Sequence, residues 1–208
     1  MSEFAATYDA LSSRYDDWAD AVSPDPRSSW VAKLDAVVAP GERVVELGCG
    51  TGSPVGLALA ARFSYSGVDA SAGMLGRARA RLPHATFVHC DMEEVSFPVA
   101  SLGGVVALYS IVHVPRERHA GLFGAIASWL RPGGVLVATV HSRDDEDDFE
   151  PNWLGAGPMR WSGFDAATNL SLIEAAGLDV VESQTIEQIE PGGTRIRPLW
   201  LLARRSAR

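Results

Sequence analysis

Residues 44 to 52 read Val-Val-Glu-Leu-Gly-Cys-Gly-Thr-Gly, and an acid, Asp69, closes the next apolar run. An apolar strand that runs into a glycine-rich turn and then a helix lets the backbone approach a ligand closely. An acid at the tip of the neighbouring strand accepts hydrogen bonds from ribose hydroxyls. The pattern points to a nucleoside-type cofactor. Its glycines stand at 48, 50 and 52, whereas a dinucleotide fingerprint, G-x-G-x-x-G, would need its third glycine where this chain has Ser53. Pro54 is expected at the first helical position, where it removes one N–H that a pyrophosphate would use. The loop therefore suits a cofactor without a pyrophosphate and disfavours a nicotinamide-dependent oxidoreductase.

Other reactive side chains fall at the ends of expected strands, where open α/β sheets bind ligands. Asp91 ends the third strand, Tyr109, Ser110 and His113 follow the fourth, and His141 follows the fifth. An unperturbed histidine titrates near ~6.5, so His113 is the first candidate for a general base and His141 the second. His84, His89 and His119 read as surface, strand or helix residues.

These groups need a scaffold, and the periodicity supplies one. Phe4, Tyr8, Leu11, Tyr15 and Trp18 recur at helical spacing. A second helix is expected from Ser28 to Val38. Strands are expected at Arg43 to Leu47, Tyr65 to Val68, Thr86 to His89, Gly104 to Tyr109 and Val135 to Val140. Between them, Ser53, Ser71 and Pro115 are expected to start helices, and Asp165 caps a helix ending at Gly177. Leu178 to Glu190 and Thr194 to Leu202 read as strands joined by Pro191-Gly192-Gly193, with Pro198 marking a bulge or an unpaired N–H. Alternation of strand and helix implies a mostly parallel sheet covered on both faces.

The chain has 208 residues and a net charge of −8, which fits one α/β domain and argues against a large nucleic-acid footprint. Its arginines at 77, 79 and 81 read as surface charge that complements a helix dipole. No apolar stretch approaches a membrane span and no basic leader is seen, so a cytoplasmic location is expected. Cys49 and Cys90 fit a reducing compartment, and no metal-ligand cluster is visible.

The run Glu46 to Gly52 resembles the first motif of class I S-adenosylmethionine (SAM) dependent methyltransferases. Gly67-Val68-Asp69-Ala70-Ser71 with Met74, then Cys90-Asp91-Met92, then Leu130-Arg131-Pro132-Gly133-Gly134 resemble that family's later motifs in order. The resemblance covers residues 4 to 206. It implies a Rossmann-like, mostly parallel seven-stranded sheet with helices on both faces, an antiparallel C-terminal hairpin strand and an N-terminal helical cap. It also implies SAM as cofactor and S-adenosylhomocysteine as product. Gly48, Cys49 and Gly50 would lie along the methionine part, with Glu46 organising the loop. Asp69 would take the ribose, Ala70 and Met74 the adenine faces, Asp91 and the Met92 backbone the adenine edge. The Tyr109 and Ser110 backbone would hold the methionine amine, and Tyr15, on the helix that relatives fold over the site, would touch SAM; Tyr8 is a weaker candidate.

The motif Tyr109-Ser-Ile-Val-His113 lacks the Asn/Asp-Pro-Pro-aromatic signature of relatives that methylate DNA amines or protein amides. A small-molecule acceptor is expected, with no nucleic acid or membrane partner, from a monomer or homodimer. An RNA or protein methyltransferase and a non-catalytic SAM-binding regulator are the alternatives. The chain divides into a cap (1–40), a cofactor-binding core (41–142), a lid loop (143–164) and a C-terminal helix and hairpin (165–208). The lid carries the acids Asp144, Asp145, Glu146, Asp147, Asp148 and Glu150, then Trp153, Met159 and Trp161, which are expected to line the acceptor pocket. The acids would attract a cationic acceptor.

Overall fold

The computed structural model describes residues 3–206. Its centre is a seven-stranded sheet. The strands are β1 (Arg43–Leu47), β2 (Ser64–Asp69), β3 (Thr86–His89), β4 (Leu102–Ala107), β5 (Leu130–Val140), β8 (Leu178–Thr185) and β11 (Leu199–Arg205), in the order β3-β2-β1-β4-β5-β11-β8. β11 is antiparallel to both of its neighbours, and the β1 to β5 pairings are parallel. This is the expected fold class.

The strands alternate because both faces are covered. Val45, Leu136 and Leu201 point to one layer, with Phe123 and Ile126 of α6 (His119–Trp129) and Ile173 of α7 (Ala166–Ala175). Val44, Val137 and Trp200 point to the other, with Trp30 of α3 (Arg27–Val31) and Leu59 of α4 (Val55–Ala60). Chain order reverses at β1, which lies between β2 and β4, so a crevice opens beyond the carboxyl ends of these strands.

Several boundaries differ from the sequence expectation. The N-terminal stripe is two helices, α1 (Glu3–Leu11) and α2 (Tyr15–Asp20). Ser12 breaks it: its hydroxyl donates to the Asp9 carbonyl at 2.9 Å and competes with the helix. The 28–38 helix is α3 followed by a 3-10 turn, Ala32–Ala36. Ser53 makes no cap; Pro54 occupies the N-cap position of α4, one residue earlier than expected. α5 (Ala72–Arg81) and α7 are capped as read, by Ser71 to the Met74 N–H and by Asp165 to the Thr168 N–H. Pro115 is extended, and α6 begins only at His119.

The segment 143–164 is no loop. It forms the antiparallel hairpin β6 (Asp145–Trp153) and β7 (Gly157–Gly163). The last hairpin is also split. β9 (Gln188–Ile189) and β10 (Arg195–Ile196) leave the main sheet because Ile189 exchanges backbone bonds with Ser23, at 2.8 and 3.0 Å. Pro198 sits in that break. Among the described residues no helix is long and apolar enough to cross a membrane, and no cluster of metal-ligating side chains occurs.

Candidate functional site

β1 ends at Leu47 and the chain turns through Gly48 at φ +74° and Gly50 at φ +53°. A Cβ at Gly48 would stand 2.3 Å from the Ser110 Cβ, while one at Gly50 would meet nothing within 4 Å. Gly48 is thus required by the close approach of Ser110, just after β4, whereas Gly50 is favoured by its positive φ alone, with open space above the loop. Ser110 secures the junction by donating to the Leu47 carbonyl at 2.7 Å.

Asp69, at the tip of β2, accepts from the Gly50 N–H at 2.7 Å and the Ser71 N–H at 2.8 Å. Burial pushes its carboxyl upward, and these two N–H bonds oppose the shift. Each carboxylate oxygen takes only one of these bonds, so further lone-pair directions remain. Asp91 accepts from the Glu93 N–H through one oxygen; among the described residues its other oxygen has no partner.

A narrow cleft of about 80 Å³ opens over this loop. Gly48, Gly50, Asp69, Ala70, Met74, Asp91 and Met92 line one part of it. Tyr15, Tyr109, Ser110 and His113 line the rest. Two candidates lie elsewhere. Glu46 is buried behind the loop, where the Tyr65 hydroxyl donates to it at 2.7 Å, and burial pushes its carboxyl up to about 8. The Cys49 thiol is buried against Gly67. Neither side chain faces the cleft, because each fills space between the loop and β2.

A second, open cavity of about 490 Å³, a size typical of small-molecule sites, adjoins the first and shares Tyr8, Tyr15, Tyr109 and His113 with it. His141, Trp153 and Trp161 line this one. Met159 lines neither and is 1% exposed. Trp18 of the helical stripe also lines the second cavity, as do Arg27, Gln188 and Glu190, which no motif marks in the sequence. Phe4 lines the cleft and stacks on His113 with ring centroids 5.6 Å apart; its place in the helical stripe was the available signal.

The two histidines differ. Nδ1 of His113 lies 3.0 Å from the Arg160 carbonyl, which can only accept, so Nδ1 carries the proton. Nε2 therefore accepts from the Tyr8 hydroxyl at 2.9 Å. Burial lowers the His113 pKa to about 4, and both nitrogens are engaged, so this ring has no free basic site. His141 is half-buried and its pKa is also lowered, chiefly by burial. Among the described residues its ring makes no hydrogen bond.

The acidic run is divided. Asp144 pairs with Arg116 and Asp147 with Arg160, at 2.9 and 2.6 Å. Asp145, Asp148 and Glu150 line the second cavity. Arg81, expected as dipole-complementing surface charge, instead bonds the Thr51 carbonyl and Asp16, each at 2.7 Å, tying the cap to the glycine loop. Tyr109 has φ +55°, rare for a tyrosine. Its N–H donates to the Thr139 hydroxyl at 2.6 Å and its own hydroxyl to Gln188 at 2.8 Å. This fixes the ring in the wall between the cavities.

Residues 44–134 match a family described as a methyltransferase domain. A trans-aconitate 2-methyltransferase of Deinococcus radiodurans is 37% identical over 127 residues, 58% of this chain and 47% of that protein. The chain spans about half the length of the curated relatives it matches. Among solved structures, the 1,6-didemethyltoxoflavin-N1-methyltransferase of Burkholderia thailandensis has 1,6-didemethyltoxoflavin and S-adenosylhomocysteine bound. It aligns at TM-score 0.68 and 21% identity, covering 98% of this chain and 89% of its own. The [4+2]-cyclase SpnF aligns at TM-score 0.75 and 16% identity, covering 99% and 96%; at such identities the likeness is one of fold. The strand order, the glycine loop with Asp69, and the match over residues 44–134 together give this chain a methyltransferase domain with the fold seen in SAM-dependent methyltransferases.

Proposed function

We propose that this protein transfers a methyl group from SAM to a small-molecule acceptor. The observation that carries the reading is the pair of adjoining cavities. One is floored by the glycine loop and two acids; the other is larger and aromatic, and four residues wall both. Such an arrangement holds two ligands side by side.

The residues of the first cleft fit the cofactor. Asp69 has acceptor capacity left for ribose hydroxyls, Asp91 has a free oxygen for an amine, and the space above Gly50 is open. Ala70 and Met74 would flank the adenine, Tyr109 and Ser110 the methionine end, and the Tyr15 ring would close over it. When bound, SAM supplies a methyl group already activated by a sulfonium.

The protein's part is to align the acceptor and exclude water. The cap and the hairpin do this together: Thr7 donates to the Pro158 carbonyl at 2.8 Å and Arg14 to the Leu154 carbonyl at 2.5 Å. An acceptor hydroxyl or ammonium must lose a proton, and His141 is the base that fits. It faces the acceptor cavity, its ring is neutral, and its nitrogens are free. His113 acts as a positioning residue that holds Tyr8 in the shared wall.

The test is calorimetric titration with SAM, S-adenosylhomocysteine and NADH, repeated with Asp69→Ala, followed by product formation on a panel of phenols, amines and acids. Micromolar binding of both adenosyl ligands, lost in the variant and absent for NADH, together with turnover of a panel member, is expected. Binding without turnover would point to a regulatory SAM-binding protein. Tight NADH binding without a response to SAM would overturn the assignment.

A further inference from the structure

The inside of the second cavity has a specific chemistry. Trp153 is met edge-to-face by three rings: Tyr8 at 74°, Trp18 at 81° and Trp161 at 83°, with centroids 5.6, 5.3 and 5.8 Å away. Rings at right angles form the walls of a corner, and their electron-rich faces attract cations. Tyr15 extends the enclosure through Tyr8 and Trp18.

A carboxylate belongs to the same cavity. Glu190 lies just before the Pro191-Gly192-Gly193 turn and is half-buried. Its backbone N–H donates to the Thr194 carbonyl at 2.9 Å, but its side chain has no partner among the described residues. It lines the same cavity as Tyr8, Trp18, Trp153 and Trp161.

Four arginines share the lining. Buried Arg27 is committed to Asp25 at 2.9 Å and Asp20 at 3.3 Å. Arg195 pairs with Glu187 at 2.5 Å. Arg143 and Arg197 are solvent-exposed. The half-buried acids Glu190 and Asp145 therefore set the charge of the interior.

We propose that the acceptor carries a positively charged amine, held by the Glu190 carboxylate within the aromatic corner of Trp18, Trp153, Trp161 and Tyr8. This rests on the two-cavity methyltransferase reading and narrows its acceptor class. The ammonium is a handle for recognition; the methylated atom is a separate group of the same molecule, next to His141. Anionic acceptors are repelled by the same carboxylate.

Three probes share a phenol ring and differ in charge: tyramine (cationic), 4-ethylphenol (neutral) and 4-hydroxyphenylpropionate (anionic). Their affinities are measured by calorimetry on the protein saturated with S-adenosylhomocysteine. Tyramine is expected to bind about tenfold tighter than 4-ethylphenol, with the anion weakest. Glu190→Gln, which keeps the shape, should remove most of the tyramine advantage while leaving S-adenosylhomocysteine affinity unchanged. Equal binding of tyramine and 4-ethylphenol, preference for the anion, an advantage that survives Glu190→Gln, or no binding of any probe overturns the proposal. If S-adenosylhomocysteine itself fails to bind the wild-type protein, it is the methyltransferase reading that fails.

Discussion

The Tyr8 hydroxyl donates to Nε2 of His113 at 2.9 Å, while Nδ1 of the same ring donates to the Arg160 carbonyl at 3.0 Å. One imidazole thus joins the N-terminal cap, the segment after β4 and strand β7. Tyr8→Phe removes the cap's side of this link and leaves a buried acceptor unmet. A loss of about 1–2 kcal/mol is expected, a fall in Tm of about 2–8 °C for a chain of this size. Differential scanning calorimetry checks it, and an unchanged Tm would show that the bond contributes nothing to closure.

The protonation of His113 gives a second prediction. Its folded pKa of about 4 lies below the ordinary 6.5. The unfolded ring binds a proton before the folded one does, so this contribution to stability is complete above pH 6.5 and is lost as pH falls toward 4. An NMR titration should find no inflection of the His113 ring near neutrality; a midpoint close to 6.5 would contradict the engaged-ring geometry.

Glu46 acts with the opposite sign. Its folded pKa is about 8 against an ordinary 4.5. The folded carboxyl keeps its proton where the unfolded one has lost it, so stability falls as pH rises from 4.5 to about 8. Buried Asp69 is shifted in the same direction. Below pH 6.5 His113 opposes this trend, so urea midpoints should decline between pH 6.5 and about 8, and Glu46→Gln should flatten the decline. A parallel slope in the variant would remove Glu46 as its source.

Gly48 and Gly50 should separate stability from binding. Gly48→Ala forces a Cβ to within 2.3 Å of Ser110 at φ +74°, so little folded protein is expected. Gly50→Ala meets nothing within 4 Å and costs only the left-handed strain, about 1–2 kcal/mol. Its added methyl projects into the cleft, so S-adenosylhomocysteine affinity should fall by more than stability does. Equal effects of the two substitutions on Tm would contradict this division.

Much of this arrangement was legible in the sequence, for reasons that differ between residues. Gly48, Asp69 and Asp91 mark strand ends, and strand ends are set by local apolar runs. Ser71 and Asp165 cap as read because capping needs only four consecutive positions. Glu46 and Cys49 belong to the motif but point away from the cleft, because alternation along β1 and packing behind the loop decide their direction. The 143–164 hairpin was hidden by its charge: acids rarely signal strands, and here Arg160 and Arg116 neutralise two of them from outside the run. Glu190 and Arg27 reach the cavity through the β9–Ser23 pairing, a long-range contact with no local pattern.

Tyr8, Tyr15, Tyr109 and His113 belong to both cavities at once. Ligands held in the two cavities would touch the same four side chains. On the proposed two-ligand reading, any effect of one ligand on the other's affinity would pass through this wall, and thermodynamic reciprocity would make it equal in both directions.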